Sequence, residues 1–254
     1  MNKRLLGIFI AVAVAIVVIV VCCVMFLVGS VEVRTADNLT LDDDAVSAIV
    51  SQSGISKGES VFSIDEDSSV SAIEKANPYL KVVDIERKFP NKVVIYVAKR
   101  TPLMYVALEE QEDGAQLYAV LDNELKILDV VPLAETQGLT LVSNFTIVGG
   151  EESAGSFVGD KSQWLAGVVE GAQRVTFVEN RFCDFISEIT YGQISVRIRT
   201  NTGVSFVLKN VADIDELFVG AYTYYAQICT EDMRTSGYIS LTDSGWIWSQ
   251  TPLD

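Results

Sequence analysis

The sequence predicts an α+β protein behind one N-terminal transmembrane helix: a β-α-α-β-β module, then a mostly antiparallel β domain with flanking helices. Three observations carry that prediction. Residues 5–28 are an unbroken apolar run; residues 30–99 switch between strand and helix periodicity in the order β-α-α-β-β; and residues 100–254 are mainly short β-branched segments between turn residues, with one strongly amphipathic helix among them.

The apolar run comes first. Its 24 residues hold no charge and no Pro. As a helix they would reach ~36 Å, enough for a ~30 Å hydrocarbon core with some tilt. Lys3 and Arg4 precede the run and Glu32 is the first charge after it, so the positive-inside rule puts residues 1–4 in the cytoplasm and the rest outside, in the cell membrane by a single pass. A cleaved signal peptide has an apolar region of only ~7–15 residues. A lipoprotein reading through Cys22 meets bulky Val21 where a small residue is needed. The run therefore reads as a retained anchor.

Charge narrows the function. All 34 acidic residues lie beyond the run with 17 of the 19 basic ones, a formal charge of −17. Such a domain does not offer the basic face that nucleic acid needs. There is no histidine, which removes Ser-His-Asp and Cys-His catalysis and most zinc sites. Outside the run only Cys183 and Cys229 remain; they allow one disulfide, or two buried free thiols.

Within the module, Val31 and Val33 mark a strand. Thr40 and Asp43 suggest a capping box ahead of a helix whose face is Ala45, Val46, Ile49 and Val50, with Gly54 as its stop. A second helix spans 68–77 and ends at Pro78. Val82, Val83 and Ile85 lead into the turn Arg87-Lys88-Phe89-Pro90-Asn91-Lys92, and 93–97 returns as a β-branched strand to Lys99-Arg100-Thr101-Pro102. Beyond it, strands are expected over 103–108, 116–121, 125–131, 139–148, 185–190, 194–200 and 204–209, with a helix near 163–175 and a mobile loop over 149–161. Asp213 to Ile228 is the clearest helix, with Ile214, Leu217, Phe218, Ala221, Tyr222, Tyr225 and Ile228 on one face. A final strand runs through Tyr238, Ile239 and Leu241, and Trp246-Ile247-Trp248 follows.

Chemical motifs are weak. Gly155-Ser156-Phe157-Val158-Gly159-Asp160-Lys161 has the wrong spacing for a phosphate loop, and Asp42-Asp43-Asp44 suits a helix N-terminus. Asn38 and Asn144 open glycosylation triplets that chance supplies readily. Arg197 and Arg199 alternate with Val196 and Ile198 as an ordinary solvent face. No catalytic set, metal, cofactor or small-molecule substrate is indicated, so the chain reads as a non-enzyme.

The hairpin from Val82 to Pro102 resembles the POTRA domain of FtsQ/DivIB cell-division proteins, in which a basic residue and Pro mark the turn and the strand runs into a basic residue and Pro. The segment Gly58 to Asp65, the strand Tyr118 to Asp122, the strand and helix from Gly203 to Ile228, and the closing strand from Tyr238 to Gly245 resemble further parts of that family in order. The resemblance implies a non-enzymatic bitopic scaffold of the bacterial divisome, placed at the septum. It would bind the bitopic partners FtsB (DivIC) and FtsL and so regulate septal peptidoglycan synthesis. A membrane-anchored receptor or sensor with the same module is the alternative.

The expected partner site follows. Little sequence remains beyond Leu241 to cover that strand's outer edge, and an open edge can accept a partner strand. Tyr238, Ile239, Leu241, Trp246 and Trp248 would line it, with outward members of Phe218, Tyr222 and Tyr225 as an adjoining wall; the other reading closes the core with both tryptophans. Arg87, Lys88 and Lys92 form a possible recruiting face, or a solvated strand face.

Overall fold

The computed structural model describes residues 12–252 apart from 19, 22, 23, 38, 110–114, 148–152, 160, 161, 176–181 and 193. The stub 1–4, the first part of the apolar run, Cys22, Cys23 and Asn38 therefore lie outside the described residues. The chain divides into two compact units, Met1–Lys99 and Arg100–Asp254.

The first unit begins with helical residues at 12–18, 20, 21, 24 and 25, whose apolar side chains are bare. Among the described residues no helix is long and apolar enough to cross a membrane. The run does not stay helical to Val28. At Leu27 the backbone turns into an antiparallel bridge with Ser60, and the Val28 side chain is buried in the core of the unit. The last residue of the run, Val28, is thus claimed by tertiary packing, which sequence hydropathy cannot distinguish from a membrane span.

The rest of the unit has the expected β-α-α-β-β order. β1 (Ser30–Thr35) is followed by α1 (Asp43–Gln52), α2 (Glu66–Ala76), β2 (Leu80–Lys88) and β3 (Lys92–Lys99). The sheet order is β1-β3-β2, with β1 parallel and β2 antiparallel to β3. α1 is capped by Asp42, whose carboxylate accepts the Ala45 N–H at 2.7 Å, rather than by Thr40. Asp65 does the same for α2, so that helix starts at Glu66, two residues earlier than its apolar periodicity suggests. Val93, Ile95 and Val97 alternate onto the helix side of β3 and pack with Ile49 of α1 and Ile73 of α2. Each such side chain contributes roughly 1.5–3 kcal/mol by burial. The 89–91 turn between β2 and β3 passes through a cis Phe89–Pro90 bond.

The second unit holds β4 (Met104–Leu108), β5 (Leu117–Leu121), β6 (Ile127–Pro132), β7 (Thr140–Ile147), α3 (Gln163–Arg174), α4 (Phe182–Phe185), β8 (Ile186–Tyr191), β9 (Ser195–Thr200), β10 (Val204–Lys209), α5 (Ile214–Gln227), β11 (Gly237–Thr242) and β12 (Gly245–Ser249). Among the described residues these nine strands make one sheet, ordered β12-β11-β10-β9-β8-β7-β4-β5-β6. The pairs β4–β7, β7–β8 and β10–β11 are parallel, and the other five are antiparallel.

Helices α3 and α5 cover one face of this sheet. They approach closely because α3 carries Gly171 where a Cβ would meet the Asp215 carbonyl oxygen and the Phe218 Cβ, each at 2.8 Å. One residue and one loop read differently in sequence and structure. Arg100, which the sequence shows only as part of the basic segment Lys99-Arg100-Thr101-Pro102, is buried, and its Nη1 lies 2.6 Å from both Asp122 Oδ2 and Glu124 Oε2. The described part of the expected mobile loop, 153–159, pairs with the start of β6: Ile127 donates to the Ser156 carbonyl and receives the Gly155 N–H. The remainder of that loop lies outside the described residues. Cys183 and Cys229 are free thiols, both pushed above the ordinary thiol range by burial.

Candidate functional site

The end of the chain makes one more strand than its sequence shows. Gly245, with φ at 111°, lets the chain reverse after Thr242, and residues 245–249 return antiparallel to β11. The edge of the sheet is therefore β12, and β11 is an interior strand. The chain remaining after Leu241 does cover that strand, because Trp246-Ile247-Trp248 itself forms the cover.

Register then sorts the expected site residues onto two faces. Trp248, Ile239, Phe206, Ile198, Ile189 and Val142 are cross-strand neighbours in one row. That row faces the helices, since all but Trp248 are buried in the main core and Trp248 packs against it. Leu241 and Trp246 share this face, two residues along their strands. Trp246 rests on α5 at Gly220, where a Cβ would come within 2.7 Å of the ring. Trp248 Nε1 donates to the Ser236 carbonyl at 3.0 Å. Both tryptophans therefore close the core, while remaining half-exposed at the rim.

Ile239 and Phe218 are completely buried, and Tyr225 nearly so, with its ring against Phe206 and Phe185. None of these three is available to a partner; the helical periodicity that placed Phe218 and Tyr225 on one face had found the core face. Tyr222 stays half-buried beside Phe185, and Leu241 is 46% exposed.

At this end of the sheet the opposite face is largely polar, with Arg197 and Arg199 exposed and Ser205, Val207 and Ser240 buried among their neighbours. Ser249, Tyr238, Ser205, Arg199 and Glu188 form one cross-strand row, and Ile247, Ser240, Val207, Arg197 and Thr190 the next. The Arg197 guanidinium sits 5.7 Å from the centre of the Tyr238 ring. Glu188, Thr190, Arg197, Arg199, Ser205 and Tyr238 line a shallow depression there. Among the described residues neither arginine pairs with a carboxylate, although the domain is strongly acidic. Sequence alternation assigned Arg197 and Arg199 to an ordinary solvent face; only the pairing of β10 with β11 brings Tyr238 near them, on β9, three strands in from the β12 edge.

The basic residues of the first unit are differently placed. Arg87 Nη2 lies 2.7 Å from Glu66 Oε1 and also donates to the Ile64 carbonyl, Lys88 Nζ lies 3.2 Å from Glu86 Oε2, and Lys92 pairs with Glu32. The hydrogen bonds from Lys92 and Lys88 hold the Glu32 and Glu86 carboxyls below the usual carboxylate range. The cluster that stands out in sequence is thus internally neutralised. Among the described residues no group of three or more His, Cys, Asp or Glu is placed to hold a metal ion.

Two comparisons bear on this arrangement. Residues 27–100 match the family model described as POTRA domain, FtsQ-type. The chain is also 26% identical over 181 residues to a protein of Myxococcus fulvus named Cell division protein FtsQ; the match covers 63% of this chain and 61% of that protein. The chain so matched spans about three fifths of the relative's length. Both matches bear out the resemblance read from the hairpin Val82 to Pro102.

Proposed function

We infer, from a chain that is of the FtsQ/DivIB type, that it is a non-enzymatic, single-pass scaffold of cell division, anchored by residues 5–25 with its N-terminus in the cytoplasm and both units outside. It acts at the division septum by holding short bitopic partners of the FtsB/DivIC and FtsL kind, and through them regulates septal peptidoglycan synthesis. The observation that carries this reading is the β12 edge beside an open polar face. An edge strand presents unpaired N–H and C=O groups to which a partner segment adds as the next strand of the sheet. Arg197 and Arg199 lie on the same face in β9, with β10, β11 and β12 between them and that segment, so they suit acidic side chains of a partner region that lies across this face rather than of the added strand itself. Tyr238 and Ile247 supply apolar contact on this face, and Leu241, Trp246 and Trp248 do so around the rim. Anchoring both proteins in one membrane raises their effective concentration, so a modest intrinsic affinity suffices.

The direct test is charge reversal on the open face. Full-length chain carrying Arg197→Glu and Arg199→Glu is co-expressed with the FtsB-type protein of the same genome, and capture is compared with thermal unfolding. Lost capture at an unchanged melting temperature supports the reading. Full capture would remove the arginines from the interface.

A further inference from the structure

Where the apolar run meets the first unit, three aromatic rings gather that the core does not use. Phe26 ends the helical residues, Phe62 sits in a short 3-10 turn between α1 and α2, and Phe89 sits in the β2–β3 turn. Their ring centres are 5.3 Å apart for Phe26 and Phe62, 6.0 Å for Phe26 and Phe89, and 5.5 Å for Phe62 and Phe89. Phe62 and Phe89 nevertheless stay 61% and 59% exposed. The backbone fixes the three segments at one level: Val61 N–H donates to the Phe26 carbonyl, Val28 N–H to the Glu59 carbonyl, and Gly29 N–H to the Asn91 carbonyl. Val28 and Val61 point into the core from the same stretches, so the phenylalanines are the residues left facing out.

We propose that Phe26, Phe62 and Phe89 form a membrane-interface seat: Phe62 and Phe89 insert at the headgroup–acyl boundary and hold the first unit against the outer surface of the bilayer in one orientation. The proposal rests on the anchor reading given above and adds to it. Lipid is the occupant because the cluster is continuous with the bare apolar helical residues, Val24 and Met25 immediately preceding Phe26. A helix over the stretch from Leu5 to Phe26 would rise about 32 Å, close to the ~30 Å hydrocarbon thickness. Phe26 would therefore fall at the interface, and rings packed directly on it share its depth, where exposed Phe, like Trp and Leu, buries into the headgroup–acyl boundary. The charges nearby fit that depth. Lys88 and Lys92 are paired with Glu86 and Glu32, the Glu59 carboxylate accepts the Ser56 N–H at 2.9 Å, and Lys57 is exposed in the adjoining turn.

The test uses the full chain reconstituted in phosphatidylethanolamine/phosphatidylglycerol vesicles, with and without bromine at carbons 6 and 7 of the acyl chains. Phe62→Trp and, separately, Phe89→Trp report through the emission each adds to that of the unsubstituted chain, and flotation after alkaline carbonate wash reports anchoring. The expected result is that both variants float and the added emission loses most of its intensity in brominated vesicles. Floating vesicles whose added emission is unquenched overturn the seat and leave the anchor standing, and would point instead to a protein partner for the rings. A chain released by carbonate overturns the anchor and the seat together.

Discussion

In the first unit, Arg87, Lys88 and Lys92 each meet a carboxylate of the same unit. In the second, among the described residues, Arg197 and Arg199 stand without one on the sheet face opposite the helices, in β9, three strands in from the β12 edge, while Arg100 is buried between Asp122 and Glu124. Both units cover one face of a sheet with helices. They differ in where charge is left over. Exposed pairs like those of the first unit satisfy each other and advertise nothing, whereas cations unpaired in an acidic domain remain available to a partner's carboxylates. A basic cluster in sequence is therefore a poor guide to a binding face until its internal partners are known.

Four variants break or sharpen that contrast. The largest effect is expected at Arg100. Arg100→Ala removes the guanidinium paired with Asp122, which has no solvent access and, among the described residues, keeps only the Glu124 and Lys126 N–H on its other oxygen, and should destabilise the second unit by ~3–5 kcal/mol. All three tryptophans lie in that unit, so denaturant unfolding followed by their emission reads it directly. A midpoint unchanged from the parent would show that the buried pair is not what holds β4 and the Asp122 turn together. The counterpart in the first unit is Ile73→Ala, which empties a fully buried site for ~2–5 kcal/mol. Hydrogen exchange of the β1–β3 amides should quicken accordingly.

A smaller change is expected from Gly171→Ala. The new methyl must push α3 away from α5 at Asp215 and Phe218, for ~1–3 kcal/mol. Because Trp246 lies on α5, its emission should shift as well; a silent substitution would mean the helices give way freely. Least of all is expected from acid at the paired carboxylates. Lys92 beside Glu32 and Lys88 beside Glu86 depress both folded-state values. Their contribution is then present above the unfolded carboxylate range of about pH 4.3 and is lost as pH falls through the lower folded values. Glu32→Gln should flatten that acid limb slightly in a pH titration of first-unit stability, with neutral-pH partner capture unaffected.

The sequence makes the module legible because its signals are local. A Pro-containing turn between two β-branched strands and two short amphipathic helices need no knowledge of distant residues. The amphipathic face of α5 is equally plain. What alternation could not do was separate core from interface: Phe218 and Tyr225 obey the same spacing whether they meet a sheet or a partner, and the sheet takes both. β12 was missed because Trp246-Ile247-Trp248 is apolar throughout, so the alternation that sends both tryptophans to the helix face and Ile247 to the open one leaves no pattern in composition. Arg197 and Arg199 look ordinary until β10 pairs in parallel with β11 and brings Tyr238 alongside. The membrane boundary was blurred for a related reason, since Val28 is as apolar as a lipid-facing residue and is used by the core instead, while the Leu27 backbone leaves the helix to bridge Ser60.

The account rests on β12 being the strand to which a partner adds. Amide hydrogen exchange on the full-length chain in nanodiscs, with and without its FtsB-type partner, measures that strand by itself and alters no residue. The account predicts that partner binding slows exchange at residues 245–249 and leaves the β2–β3 hairpin unchanged. A bound partner that leaves 245–249 exchanging at the free rate would contradict it.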